Sequence, residues 1–230
     1  MKQIESVGTY VPRHRITAEE IGDAWEGYRA RGIQEKRVTG YDEDSLTMAV
    51  SALKDALSES SLDRDEFSVL AVGTTTPPVE EGDIGVTIAE ILGLSTDLDV
   101  QVFSQSTRAG VRAVLSALRA EKPALAVATD CPRGTADSAL DHAAGAGAVA
   151  VATGSTGPLV RETATSIREY PGTRFRQRGS DHVEAYGATA YERDSYTTLI
   201  NKVASAPSSF DCRDYTLGER CCRIDFREIQ

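Results

Sequence analysis

Residues 98–118 change their hydrophobic period within a few positions. Leu98-Asp-Val-Gln-Val-Phe103 predicts a short buried strand, Ser104-Gln-Ser-Thr107 a polar elbow, and Val111, Val114, Leu115 and Leu118 recur at the spacing of one helix face. An elbow of this kind aims its polar side chains at the free amides of a helix N-terminus, where an anionic or nucleophilic group is stabilised.

The flanking segments carry the same alternation of short apolar runs and helical periods. Residues 3–10 predict a strand that stops before Pro12, which cannot donate to a ladder. Thr17-Ala-Glu-Glu20 is a capping box, so a helix is expected from about Ala18. Residues 32–37 form a polar connection, and from Ser45 to Ser58 the residues Leu46, Ala49, Val50, Leu53 and Leu57 mark one helix face capped by Asp44 or Ser45. Phe67-Ser-Val-Leu-Ala-Val-Gly73 and Ala124-Leu-Ala-Val-Ala-Thr-Asp130 are nearly continuous apolar runs, the mark of strands buried on both faces of a parallel sheet.

Between them, residues 84–92 predict a helix stopped by Gly93. Thr74-Thr-Thr-Pro-Pro78 leaves the first apolar run where open α/β sheets bind ligands, although Thr and Pro equally suit a capped loop. Gly145-Ala-Gly147 precedes a strand through Thr153, and its small residues let a second backbone or a ligand come close. It lacks the third glycine and the following helix of a dinucleotide fingerprint. Together the elements predict β-α-β crossovers in one mixed sheet. From Val160 the chain turns polar and arginine-rich, with Arg161, Arg168, Arg174, Arg176 and Arg178 around Tyr170 and Phe175; a helix is expected over 192–203, and the tail from Ala206 has little periodicity.

Composition narrows the function classes. At 230 residues and 40% hydrophobic content the chain suits a soluble globular protein, and no apolar run approaches the ~20 residues of a membrane helix. The N-terminus shows no basic, apolar and cleavage regions of a signal peptide, so a cytoplasmic protein is expected, with no membrane partner. The net charge of −10 disfavours nucleic acid as a partner. Twenty of the 25 basic residues are arginine, and an acidic, lysine-poor surface is expected of a protein from a salt-loaded, halophilic cytoplasm. Cys131, Cys212, Cys221 and Cys222 lack the paired spacing of a zinc site, so no metal is expected.

Five stretches in order then resemble the thiolase superfamily, and within it the archaeal-type hydroxymethylglutaryl-CoA synthases and the initiating ketoacyl synthases. They are Ile4-Glu-Ser-Val-Gly-Thr-Tyr-Val-Pro12, Gly32-Ile-Gln-Glu-Lys-Arg37, Val72-Gly-Thr-Thr-Thr-Pro77, Thr107-Arg-Ala-Gly-Val-Arg-Ala113 and Gly145-Ala-Gly-Ala-Val-Ala150. Tyr170-Pro-Gly172 and the helix near Tyr191 and Tyr196 resemble the segment joining the two halves of the archaeal synthases. The resemblance implies an α/β fold, a thiolase-like mixed β-sheet with helices on both faces, in which the second half of the pseudo-repeat is incomplete. Residues 1–158 would be the N-terminal half, 159–205 the linker and start of the second half, and 206–230 a divergent tail, expected from a truncation or a change of reading frame after about Ala206.

The same resemblance implies acyl-group transfer between acetyl-CoA-type thioesters through a cysteine at the elbow, with coenzyme A entering as the substrate thioester rather than as a resident cofactor. Here that cysteine is replaced. Aligned through the helix, Thr107 takes its place; counted along the strand, Ser104 does; Ser106 lies between. Gln105 stands at the wrong offset for the decarboxylating ketosynthases that carry glutamine. Thr75 stands where the synthases carry a glutamate. Thr75, Thr76, Arg108, Gly110 and Gly147 are the candidate substrate-binding residues. Cys131 is expected to be a buried small residue, His14 and His142 surface or loop residues, and His182 part of the linker.

Three readings follow: a condensing-enzyme-like acyltransferase, a non-catalytic thiolase-like subunit that binds acyl-CoA or scaffolds another enzyme, or a remnant with no present activity. A partner, as a homodimer or a thiolase-like second subunit, is expected to cover apolar surface. The basic linker either meets CoA phosphates or pairs with the chain's own carboxylates, the commoner fate of arginines on an acidic protein.

Overall fold

The computed structural model describes residues 3–30, 32–160, 163, 174–185 and 197–205. Alternation along β1 (Gln3–Tyr10) turns Ser6 and Gly8 inward and Val7 and Thr9 outward. The inward face meets α2 (Ser45–Glu59) closely: a methyl placed on Gly8 would lie 2.2 Å from the Ala52 carbonyl oxygen, and the Ser6 hydroxyl donates to Ala56 O at 2.7 Å. Only glycine lets this helix and strand approach so closely.

Between them the chain makes a small excursion: β2 (His14–Thr17), α1 (Ala18–Trp25) and β3 (Glu35–Val38), with β2 and β3 antiparallel. The expected capping box is formed, Thr17 N–H donating to Glu20 Oε2 at 2.8 Å and Glu20 N–H to Thr17 Oγ1 at 3.2 Å. The polar connection at 32–37 therefore includes a strand. Three charged residues in succession, Glu35, Lys36 and Arg37, hide any alternation, and the partner strand 14–17 decides the conformation.

The main sheet continues through β4 (Val69–Gly73), β5 (Asp99–Phe103), β6 (Ala124–Asp130) and β7 (Gly147–Gly154), in the order β1-β7-β6-β4-β5. The β6-β4-β5 pairs are parallel, joined through α3 (Ile84–Leu92) and α4 (Ala109–Arg119); the β1-β7 and β7-β6 pairs are antiparallel. Gly93 stops α3 in the left-handed region at φ +61°. On one face α2 and α3 bury Met48, Leu53, Leu70, Ile88 and Leu125, each large apolar side chain contributing about 2 kcal/mol. On the other, α4 packs Ala113 and Ala117 on Ala71, Ala124 and Ala126.

Two expectations are corrected here. The strand over 99–103 is the edge of the sheet rather than a buried strand, and Val102 is half exposed. The helix α4 buries Ala109, Ala113 and Ala117 together with Leu118, while Val111 faces outward, 60% exposed. Small residues face the sheet because helix and sheet approach closely; Val114 packs at the margin of that contact, and Val111 falls on the opposite face.

The described remainder comprises α5 (Ala139–Ala143), the two-residue strands β8 (Arg174–Phe175) and β9 (Glu184–Ala185), and α6 (Thr197–Ala204). The start of the helix expected from 192, the segment around Tyr170, and the tail with Cys212, Cys221 and Cys222 lie outside the described residues.

Near the start of α2, the Tyr10 hydroxyl donates to Glu43, which also accepts from Gly40 N–H. The Tyr10 hydrogen bond, followed by that of Gly40, holds the Glu43 carboxyl below its ordinary 4.5, and the same contact raises the Tyr10 phenol above 10.0. The carboxylate's contribution is present above 4.5 and lost as pH falls through the lowered value; the phenol's is present below 10.0 and lost as pH rises through the raised one. The melting-temperature gap between wild type and Tyr10→Phe is expected to be widest between these limits and to narrow on both sides. A gap that does not vary with pH would contradict this.

Candidate active site

Because β4, β5 and β6 are parallel neighbours, their carboxyl ends open at one edge. The residues leaving β4, the elbow leaving β5 and the last residue of β6 therefore meet. Asp130 is the organiser. Its Oδ1 accepts from Thr75 N–H at 2.6 Å, Thr75 Oγ1 at 2.9 Å, Thr76 Oγ1 at 3.1 Å and Thr74 Oγ1 at 3.2 Å.

One carboxylate oxygen so placed orients three successive hydroxyls, and charge-assisted bonds are the stronger kind. Thr76 Oγ1 in turn accepts from Cys131 N–H at 2.9 Å, and Thr74 N–H donates to Phe103 O at 3.0 Å, fastening the loop to β5.

The elbow turns through Gln105, whose φ of +63° lies in the left-handed region that costs a residue with a Cβ about 1–2 kcal/mol. Ser106 Oγ accepts from Arg108 N–H at 3.2 Å, and Ser106 O accepts from Ala109 N–H at 2.8 Å. Ser104 and Thr107 are exposed on either side, and Thr107 directly precedes Arg108, the N-cap of α4. Gly110 sits against β6: a methyl there would lie 2.6 Å from Ala128 Cβ. Gly147 pairs with Asp130 in the β6-β7 ladder. Thr75, Thr76, Gly110 and Gly147 are thus gathered around the end of β6, with Ser104, Ser106, Thr107 and Arg108 on the adjoining elbow.

The chemistry the elbow can perform is set by its neighbours. Among the described residues no histidine is hydrogen-bonded to an elbow hydroxyl: His14 lies exposed on β2, His182 is exposed beside β9, and His142 is 1% exposed. That burial corrects the expectation of a surface or loop position. A single histidine in a run of small residues has no period to reveal burial, and the Tyr28 ring that covers it is 114 positions away in sequence. Cys131 is half-buried rather than fully buried, and burial is the main cause raising its thiol above the ordinary 9.0, which disfavours the thiolate. No group of three His, Cys, Asp or Glu side chains among the described residues could hold a metal ion, and no described helix is long and apolar enough to cross a membrane.

The arginine-rich linker is tied to the chain itself. Arg176 donates to Thr75 O at 2.9 Å, Arg178 faces Glu80 at 3.5 Å, and Val183 N–H donates to Arg133 O at 2.7 Å, so the segment 174–185 caps the threonine loop. Asp130 and Arg176 as organisers escaped notice in the sequence. The available signal was a carboxylate ending an otherwise apolar strand.

Two clefts open on the described surface. One of about 190 Å³ is lined by Tyr10, Val11, Ala128, Gly147 and Val149; an open cleft of about 630 Å³ lies between the start of α1 and residues 28–34, lined by Thr17, Glu19, Tyr28, Ala30 and Ile33.

A five-stranded mixed sheet with helices on both faces and a strand–elbow–helix at its carboxyl edge defines a class that comparison makes specific. No family model matches the chain. The hydroxymethylglutaryl-CoA synthase of Thermococcus kodakarensis is 30% identical over 219 residues, covering 89% of this chain and 62% of the relative. That of Pyrococcus furiosus is 28% identical over 229 residues, covering 90% of this chain and 63% of the relative. The solved structure of MvaS in complex with 3-hydroxy-3-methylglutaryl coenzyme A superposes with a TM-score of 0.77 at 20% identity, over 88% of this chain and 52% of that one. A 3-oxoacyl-(acyl-carrier-protein) synthase III gives 0.68 at 14% identity, over 87% and 72%.

The chain belongs to the thiolase superfamily. Within it, the chain is similar to the archaeal hydroxymethylglutaryl-CoA synthases and spans a little under two thirds of the length of the curated relatives named here.

Proposed function

We propose that the chain binds an acyl-CoA thioester at the carboxyl edge of β4, β5 and β6 and holds it without forming the acyl-enzyme of a condensing reaction. The observation that carries this reading is the elbow. Its positions from Ser104 to Thr107 bear hydroxyl and amide side chains, and a hydroxyl of ordinary acidity needs an adjacent base that no described residue brings within bonding distance. The threonine loop at this edge is held in one shape by Asp130, to which its three hydroxyls donate.

In this reading the protein is a thiolase-like subunit whose exposed Val7 and Val149 on the sheet, and Val111 on α4, pack against a partner, a second copy or a thiolase-like second subunit. The exposed position of Thr107, just before the N-cap of α4, favours a second reading: a condensing-enzyme-like acyltransferase in which this hydroxyl is acylated.

Incubation with radiolabelled acetyl-CoA followed by denaturation separates the two. The expected result is no label on the denatured protein, with binding of acetyl-CoA seen by calorimetry. Label retained on wild type and lost in Thr107→Ala or Ser106→Ala would establish acyl transfer instead, and absence of both label and binding would remove both readings.

A further inference from the structure

The open cleft of about 630 Å³ has one wall, residues 28–30, that is fastened to a buried histidine on another element. His142 on α5 is 1% exposed; its Nδ1 accepts the Arg29 backbone N–H at 3.0 Å, and its ring stacks on Tyr28 with centroids 5.4 Å apart and planes 4° from parallel. An imidazole nitrogen that accepts a backbone N–H carries no proton, so the ring's single proton sits on Nε2. That nitrogen is buried without a hydrogen-bond partner, Asp137 Oδ1 standing 3.5 Å away.

We propose that His142 is a proton-operated latch on this cleft wall: neutral, it holds residues 28–30 closed against α5; protonated, it releases them. The reason is donor count. An imidazolium has an N–H on both nitrogens, so Nδ1–H of the buried ring would face Arg29 N–H, two donors with no acceptor between them.

The charged groups around the ring set the balance. From the segment before α5, Asp137 attracts an imidazolium but is already engaged by Nε and Nη2 of the Arg29 guanidinium, at 2.9 and 2.7 Å, and that engagement holds its carboxyl below the ordinary range. From the α1–β3 connection, the Arg29 guanidinium repels a second positive charge in the same place. Tyr28 covers the ring face, while Asp141 on α5 faces Lys36 of β3 at 3.6 Å. Protonation thus meets a carboxylate already shared and destroys the backbone hydrogen bond by which the ring holds the wall. The latch is closed where the imidazole is neutral and opens as pH falls, whatever ligand the cleft takes.

Nuclear magnetic resonance on the full chain tests this between pH 8 and pH 5, roughly the span in which histidine changes charge. At the upper end the ¹⁵N shifts of His142 are expected to show an unprotonated Nδ1. The Arg29 amide protection factor, which already corrects for intrinsic exchange, is expected to fall about tenfold toward the lower end, the loss of one modest hydrogen bond. In His142→Gln, whose amide oxygen accepts without titrating, protection is expected to stay level. A protonated Nδ1 at pH 8, a level protection factor in wild type, or an equal fall in His142→Gln would each overturn the latch. The first two readings need no variant.

Discussion

Asp130→Ala is expected to unfold about 3 kcal/mol more easily than wild type in urea and to lose measurable acyl-CoA binding. The substitution removes the single acceptor of the Thr75 N–H and of three threonine hydroxyls, which lie at 2.6 to 3.2 Å from one oxygen. Thr74 and Thr76 are buried, so water cannot replace that acceptor fully, and each donor left without a partner costs free energy. Asp130→Asn keeps an oxygen in place and is expected to cost about 1 kcal/mol, the charge-assisted part of the bonds. Equal effects of the two substitutions would show that the carboxylate does not organise the loop. Because residues 74–76 are also held by Arg176 and by Phe103, the rest of the fold is expected to persist in both variants.

Gly73→Ala is expected to be equally severe by a different route. A methyl at this position would sit 2.5 Å from the Ala109 carbonyl oxygen and 2.6 Å from Gly110 Cα, against backbone rather than a movable side chain. The start of α4 must then retreat from β4, carrying the elbow with it. Overpacking of this kind costs about 1–3 kcal/mol, and a site built on contact between that helix and that strand loses its geometry as well. The expected result is a melting midpoint lowered as in Asp130→Ala, with acyl-CoA binding lost even where the protein remains folded. Gly22→Ala is the control, since nothing lies within 4 Å of the added methyl and it stands inside α1, where alanine is the better helix former. Unchanged binding in Gly73→Ala would mean that the elbow does not depend on this contact.

Both substitutions bear on how far the site was legible. The capping box at Thr17, the cap at Asp44, the glycine stop at Gly93 and the apolar runs that became β4 and β6 were all readable, because each rests on local chemistry within a few residues. So were the ordered motifs that place the chain in its superfamily, and the elbow as a break between a strand and a helix. The placement of β5 at the edge was not readable, since an edge is defined by the absence of a second neighbour and no residue of 99–103 reports it.

The α4 face was read only in part, Leu118 being buried and Val111 exposed, for a related reason. Periodicity identifies a stripe of large apolar residues, and a close helix–sheet contact selects small ones, so Ala113 and Ala117 packed inward while Val111 turned out. Thr75 and Thr76 were singled out as substrate-binding residues from their place after a strand, but the group that orients them, Asp130, lies more than fifty positions away.

By itself, then, the amino-acid sequence determined the class of fold, the order of the main strands and the helices between them, and the hydroxyl and amide side chains of the elbow, because these depend on short-range pattern and residue identity. Tertiary structure alone decided that Asp130 holds the threonine loop, that Arg176 caps it, and that His142 is buried under Tyr28 with its Nδ1 spent on the Arg29 amide. Each of those is a contact between segments far apart in the chain, made by the parallel crossovers that bring three strand ends to one edge and by the excursion that returns against α5. The break in hydrophobic period after Phe103 is thus one of three strand ends at this edge, fastened to the threonine loop through the Phe103 carbonyl.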